Sequence, residues 1–177
     1  MQSELDLLNR ARCFEEDALA EVYERYNLEI YRYAFRYSGD AYLAEECVGE
    51  TFSRFLGAIQ AGKGPKNYLR AYLYRIAHNW LTDTHRRQPA PAVPLDTRLG
   101  TDPDTNPAQA VATKLEHLEI RSMLDKLTAD QRQVILLKFV EDWKNDEIAQ
   151  ALDKPIGAVK ALQHRALNAL RKLFQER

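Results

Sequence analysis

The sequence predicts an all-α protein made of two small helical domains joined by a flexible, proline-rich linker. Three observations lead there. Apolar residues recur at steps of three and four along most of the chain and nowhere alternate with period two, which is the patterning of helices rather than strands. Five of the seven prolines (Pro89, Pro91, Pro94, Pro103 and Pro107) fall in one weakly apolar stretch, "QPAPAVPLDTRLGTDPDTNPAQAVAT". Charge is also segregated: the net −1 of the 177-residue chain conceals −7 over residues 1–50, +5 over 63–87 and +5 over 154–177.

Each element can be justified in turn. The start, "MQSELDLLNRARCFEEDA", carries acids where a signal peptide needs a basic start and an apolar run. Nowhere do ~18 uninterrupted apolar residues occur, so the expectation is a cytoplasmic chain with no membrane insertion. From Asp17 to Tyr37 the residues Leu19, Val22, Tyr23, Tyr26, Ile30, Tyr33, Ala34 and Tyr37 mark one helix face. "SGD" supplies a stop and a new cap. A second helix puts Ala41, Ala44, Val48, Phe52, Phe55 and Ile59 on its buried side and ends in the "QAGKGPKN" loop. A third begins near Asn67 and buries Leu69, Leu73, Ile76, Ala77 and Trp80.

These helices make a first domain, residues 1–87. Residues 88–113 form the linker, whose composition cannot bury enough surface to offset ordering entropy. The second domain, 114–177, holds a helix from about Lys114 to Leu127, then a Thr128-initiated helix "TADQRQVILLKFVED", then "NDEIAQALDKPIGAVKALQHRALNALRKLFQER". Cys13 and Cys47 lie far apart with no CxxC or Cys/His cluster, so neither a disulfide framework nor a metal site is signalled.

The last stretch carries the clearest chemistry. "DEIAQAL" is a short helix with Ile148, Ala149 and Leu152 toward a core, and "DKPIG" is a turn in which Asp153 tolerates a left-handed conformation. Pro155 suits a helix's first turn, where a missing N–H costs nothing. On the following helix Val159, Leu162, Ala166, Leu170 and Leu173 share one arc, and Lys160, Ala161, His164, Arg165, Asn168, Arg171 and Lys172 share the other. Two helices joined this way form a helix-turn-helix whose second helix fits the DNA major groove. Lys160, His164 and Arg165 then reach base edges or nearby phosphates, and Arg171 and Lys172 meet phosphates. The plainer alternative for Arg171 and Lys172 is that they complement the helix dipole.

The first basic window has a second stripe. Tyr68, Tyr72, Arg75, Asn79, Thr82 and Arg86 lie along one line beside the buried face. Rings stack on unpaired bases, an amide pairs with a base edge and guanidinium groups hold phosphates, so the stripe has the composition of a single-strand platform. A tyrosine beside a core is more often simple packing.

At this point the residues resemble a known family, the alternative sigma factors of bacterial RNA polymerase of the extracytoplasmic-function (ECF) type. "AEECVGETFSRF" resembles the family's polymerase-clamp-binding helix and "YLYRIAHNWLTDTHRR" its promoter-melting helix. "LTADQRQVILLKFVEDWKNDEIAQAL" with "GAVKALQHRALNALRKL" resembles its region-4 helix-turn-helix. The resemblance implies that residues 1–87 are sigma region 2, binding the clamp helices of core RNA polymerase and capturing a flipped non-template base of the minus-ten element. By position Asn79 holds that strand, Tyr72 and Arg75 support it, and the "GKGPKN" loop, with Lys66 and Asn67, lines the base pocket, while Tyr68, Thr82 and Arg86 complete the minus-ten set. Glu46, Gly49 and Glu50 fall on the polymerase contact. Residues 114–177 become region 4, touching the polymerase flap and reading the minus-thirty-five duplex with Pro155, Gly157, Lys160, Ala161, His164, Arg165 and Arg171. The sequence departs from the family where Glu46 and Gly49 replace Asp and Gln, where Tyr72 replaces a frequent Trp, and where Ala158, Ala161, Leu162 and Gln163 replace Thr, Ser, Arg and Leu.

The function expected is therefore promoter-specific initiation with core polymerase, by a chain that is not an enzyme and uses no cofactor, metal or small-molecule substrate. Its histidines, His78, His85, His117 and His164, are scattered. Family members are often sequestered by an anti-sigma protein, which makes one a candidate partner that no residue identifies. Two rival readings stay open on the sequence: a helix-turn-helix transcriptional regulator acting without polymerase, and a helical adaptor that binds protein alone and shows no salt-sensitive DNA affinity.

Overall fold

The computed structural model describes residues 3–87 and 119–176, and within them every regular element is helical. In the first lobe α1 (Glu4–Arg12), α2 (Glu16–Ser38), α3 (Ala41–Gln60) and α4 (Leu69–Arg87) pack around one core. The second lobe holds α5 (residues 119–124), α6 (Ala129–Ile135), a π-helical turn (Leu136–Val140), α7 (Asn145–Leu152) and α8 (Ile156–Gln175). The expected linker at 88–113, and the start of the helix expected from Lys114, lie outside the described residues.

Helix α1 was not anticipated. It starts because the Ser3 hydroxyl accepts the Asp6 N–H at 3.2 Å, and it is held because Leu7, Leu8 and Ala11 are completely buried. The α2 to α3 corner is built from short polar devices. Gly39 ends α2 in a left-handed conformation, φ 67°, and Asp40 caps α3 by accepting from the N–H groups of Tyr42 and Leu43. Between the helices lie Ile30, Tyr33, Phe55, Leu69 and Leu73, at most 1% exposed. Each such side chain contributes roughly 1.5–3 kcal/mol by leaving water.

Several expected core positions differ. Tyr23 is 50% exposed, its ring lying on Phe52 at 4.9 Å rather than inside. Ala41 opens α3 at the surface, and Ile76 and Trp80 are half-buried. Helix α4 begins at Leu69, two residues later than Asn67, because Tyr68 sits at φ 53° and turns the chain before the helix starts.

Helix α5 stops at residue 124, short of the expected Leu127, and Thr128 then starts α6 as the sequence predicts. Thr128 and Gln131 form a reciprocal capping box, with Oγ1 accepting the Gln131 N–H at 3.3 Å and Oε1 accepting the Thr128 N–H at 3.2 Å. The single helix expected over "TADQRQVILLKFVED" instead widens into the π turn and stops at Val140. Trp143 follows, its N–H bonded to the Leu137 carbonyl at 2.9 Å. Val134, Leu137, Ile148, Val159 and Ala166 form this lobe's core, all completely buried.

The lobes do not stand apart. Trp143 of the second packs on Tyr74 of α4 with ring centroids 4.7 Å apart, and the Arg70 guanidinium lies 4.3 Å from the indole centroid. Arg121 donates to the Ser38 and Gly39 carbonyls, and Arg132 to the Tyr37 carbonyl at 3.3 Å, so both close the carboxy-terminal end of α2.

Candidate nucleic-acid interface

The helix-turn-helix assembles as its sequence implies. Asp153 adopts φ 54°, ψ 46° after α7, and the Lys154 N–H closes the turn on the Ala149 carbonyl at 3.1 Å. Pro155 stands one position earlier than the first turn, as the residue just before α8, and its carbonyl accepts from the Ala158 and Val159 N–H groups. Gln163 donates to Asn145 at 2.7 Å and pins α8 across the start of α7.

With Val159, Leu162 and Ala166 buried, α8 turns Lys160, Ala161, His164, Arg165, Arg171 and Lys172 to solvent. Asn168 is half-buried and hydrogen-bonded to the His164 ring. Gly157 is exposed, and a Cβ added there would meet nothing within 4 Å, so packing alone does not require glycine at this position. Of the four positions where the recognition helix departs from the family, Leu162 is packed inside and Gln163 is spent on Asn145. Ala158 is half-buried, and Ala161 faces out.

The stripe on α4 does not remain one surface. Asn79 and Arg86 are exposed, and Tyr72 is half-buried with its ring edge-on to Phe55 at 6.4 Å. The other edge turns inward or across. Thr82 shares 3.5 Å contacts with Tyr37 and His78. Arg75 donates to the Gln150 carbonyl at 2.5 Å and the Ala151 carbonyl at 3.4 Å, at the end of α7. Lys66, Asn67 and Tyr68 are exposed, but Tyr68 lines a cleft with Trp143, Glu147 and Gln150 rather than continuing the line of Tyr72.

Sequence family models match twice: "Sigma-70 region 2" over residues 22–89 and "Sigma-70, region 4" over residues 117–170. The ECF RNA polymerase sigma factor SigL of Mycobacterium tuberculosis is 30% identical over 166 residues, covering 94% of each chain. This chain belongs to the ECF RNA polymerase sigma factors. BldN of Streptomyces coelicolor, another ECF sigma factor, is 28% identical over 177 residues, and the match spans 97% of this chain but 66% of BldN. Among solved structures, that of CnrH in complex with the cytosolic domain of CnrY aligns with a TM-score of 0.74 at 22% identity, covering 99% of both chains, a likeness of fold.

In this sigma factor the α3 positions that resemble the clamp-binding segment lie outward. Glu46 accepts from the Tyr42 hydroxyl at 2.9 Å, and Glu50 pairs with Arg54 at 3.1 Å. Gly49 between them is exposed, with open space where a Cβ would stand. On the opposite side Cys47 is buried, and burial pushes its thiol up to about 12, which keeps it protonated and unreactive near neutral pH.

What sequence reasoning missed is a set of residues between the lobes. His78, one of the scattered histidines, is buried, with Nδ1 at 3.1 Å from the Tyr33 hydroxyl and Nε2 at 3.8 Å from Asp130. The neighbouring His78 ring holds the Asp130 carboxyl below its ordinary range, burial opposes this, and Lys154 at 3.5 Å reinforces it. Ala71, Tyr74 and His78 at steps of three and four were the available signal, a second apolar edge on a helix that already had one. No helix among the described residues is long and apolar enough to cross a membrane.

Proposed function

We propose that this chain binds core RNA polymerase in the cytoplasm and directs it to promoters, with region 2 (1–87) holding the melted minus-ten strand and region 4 (114–177) reading the minus-thirty-five duplex. The observation that carries this reading is the pairing, in one sigma-family chain, of two different outward faces. One is the cationic side of α8, with Lys160, His164, Arg165 and Arg171 exposed. The other is the line of Tyr72, Asn79 and Arg86 on α4, where a stacking ring, an amide and a guanidinium succeed one another.

The two faces suit two forms of DNA. An α-helix with cations near its first turns enters a major groove and meets base edges and phosphates of a duplex. A ring beside an amide suits a base already out of the stack, where stacking contributes roughly 1–3 kcal/mol per base. In this mechanism Tyr72 stacks, Asn79 bonds the flipped base, Arg75 and Arg86 hold phosphates, and Lys66, Asn67 and Tyr68 border the base pocket. The exposed Glu46, Gly49 and Glu50 of α3 meet the clamp helices of the polymerase, and region 4 touches its flap. No covalent bond is made or broken by this chain. Sequestration by an anti-sigma protein belongs to the same reading.

Run-off transcription with purified core polymerase on a genomic fragment library tests it. The expected result is initiation at a defined set of start sites sharing two spaced elements. Absence of any directed initiation contradicts it.

A further inference from the structure

We infer that the amide pair of Asn145 and Gln163 sets promoter specificity without touching a base: it braces α8 against α7 at a second point away from the turn, and so fixes which base edges Lys160, His164 and Arg165 reach. Both are positioning residues. The inference rests on the duplex-reading role proposed above for α8.

A helix-turn-helix joined only at its turn has one fixed point. Here that point is the corner at Asp153, closed by the Lys154 N–H on the Ala149 carbonyl at 3.1 Å. Val159, Leu162 and Ala166 keep the apolar arc of α8 inside, but the burial of apolar surface has no preferred direction and leaves the helix free to roll or swing by small amounts. The Gln163 bond is directional. Its Nε2 donates to Asn145 Oδ1 at 2.7 Å, a contact that weakens steeply with misalignment.

The place of the bond gives it leverage. Asn145 opens α7, which ends at Leu152, and Gln163 lies one residue short of His164 in α8, which opens at Ile156. At ~1.5 Å per residue the two amides meet about 10 Å along each helix from the turn. Turn, bond and the two helix segments make a triangle, and a triangle holds its angle. Gln163 is half-buried on the border of the two arcs, three residues after Lys160 and two before Arg165. A roll of about 20° would move a side-chain end on a cylinder of ~5–6 Å radius by about 2 Å, more than a base-edge hydrogen bond tolerates.

The rest of the first turn of α7 is turned elsewhere. Asp146 and Glu147 line the cleft with Tyr68 and Arg70, and Glu147 accepts the Lys144 N–H at 2.7 Å. Asn145 meets α8 as a neutral amide, so the brace brings no carboxylate toward the phosphates that a groove-bound helix approaches.

The full chain with core polymerase tests this on barcoded templates whose minus-thirty-five window is randomised, transcribed in competition and counted by sequencing. The variants are N145A and Q163L, the second of which keeps the bulk of the side chain and removes its donor. In each, the ratio of initiation between the best window and the average window should shrink about tenfold, the discrimination carried by one base pair. The double variant should lose the same factor and no more, because either change removes the same bond. A bond that only stabilised the fold would lower initiation on every template alike and leave the ratio at its wild-type value, which contradicts the brace. Independent losses that multiply to about a hundredfold in the double variant contradict it too, since the two residues would then act separately. R165A separates the brace from the reading beneath it. If R165A narrows the ratio and the brace variants do not, the brace fails and α8 keeps its role; if R165A also leaves the ratio unchanged, duplex reading by α8 fails and the brace with it.

Discussion

Helices α4 and α8 are both basic, both about five turns long, and differ in how their polar sides are used. Every cation on the polar arc of α8 is exposed, because α6 and α7 pack on its apolar arc. On α4 the polar line divides. Tyr72, Asn79 and Arg86 keep some or all of their exposure, while Arg75 and Thr82 are drawn into contacts with other helices. A helix with one covered side shows its working face plainly in the sequence. A helix covered on two sides does not, since a residue serving the second cover looks like a residue serving a ligand.

The largest test of this contrast is packing. Leu73→Ala on α4 should cost ~2–5 kcal/mol, since a completely buried leucine leaves a cavity on truncation, and urea denaturation would read it. A loss no greater than that of a surface substitution would mean that α4 is not the centre of its lobe. Next is Arg165→Ala, which should weaken binding to the minus-thirty-five duplex by about 1–3 kcal/mol if it meets a base edge, read by fluorescence anisotropy. A small, sequence-independent loss with a shallower salt dependence would assign Arg165 to phosphate.

Smaller still is Thr128→Ala, which removes one half of the capping box of α6 and should cost about 1 kcal/mol of stability without altering DNA affinity at fixed folded fraction. The smallest effect is from pH. Asp130 is held below its ordinary value, so its contribution is fully present above the ordinary carboxylate range and is lost as pH falls through the lower folded-state value. Its side chain is 45% exposed, so the loss should stay under ~1 kcal/mol, measurable as a difference between the wild type and Asp130→Asn in acid unfolding.

Much of this was legible in the sequence. The cap at Thr128, the left-handed turn at Asp153 and the arc of Val159, Leu162 and Ala166 are local features, set by residues within a few positions of one another. The signal for α1, with Ser3 before Leu7, Leu8 and Ala11, is also local, but a helix of 9 residues is too short for its periodicity to stand out. Tyr23 and Ala41 kept helical spacing yet lie at the margin of the buried arc, where periodicity cannot separate inside from edge. The π turn at Leu136–Val140 has the same apolar content as a continuing helix, so its extra width left no mark in the pattern. Trp143, Tyr74 and His78 come from distant parts of the chain, and their burial follows from lobe packing that no local rule encodes.

The central claim is that α4 holds an unpaired strand through Asn79 while α8 holds duplex. Permanganate footprinting of a promoter complex formed with core polymerase measures this directly. Asn79→Ala should abolish or sharply reduce the reactive thymines of the opened region, with polymerase binding and duplex contact at the upstream element unchanged. Undiminished opening in that variant would contradict the account.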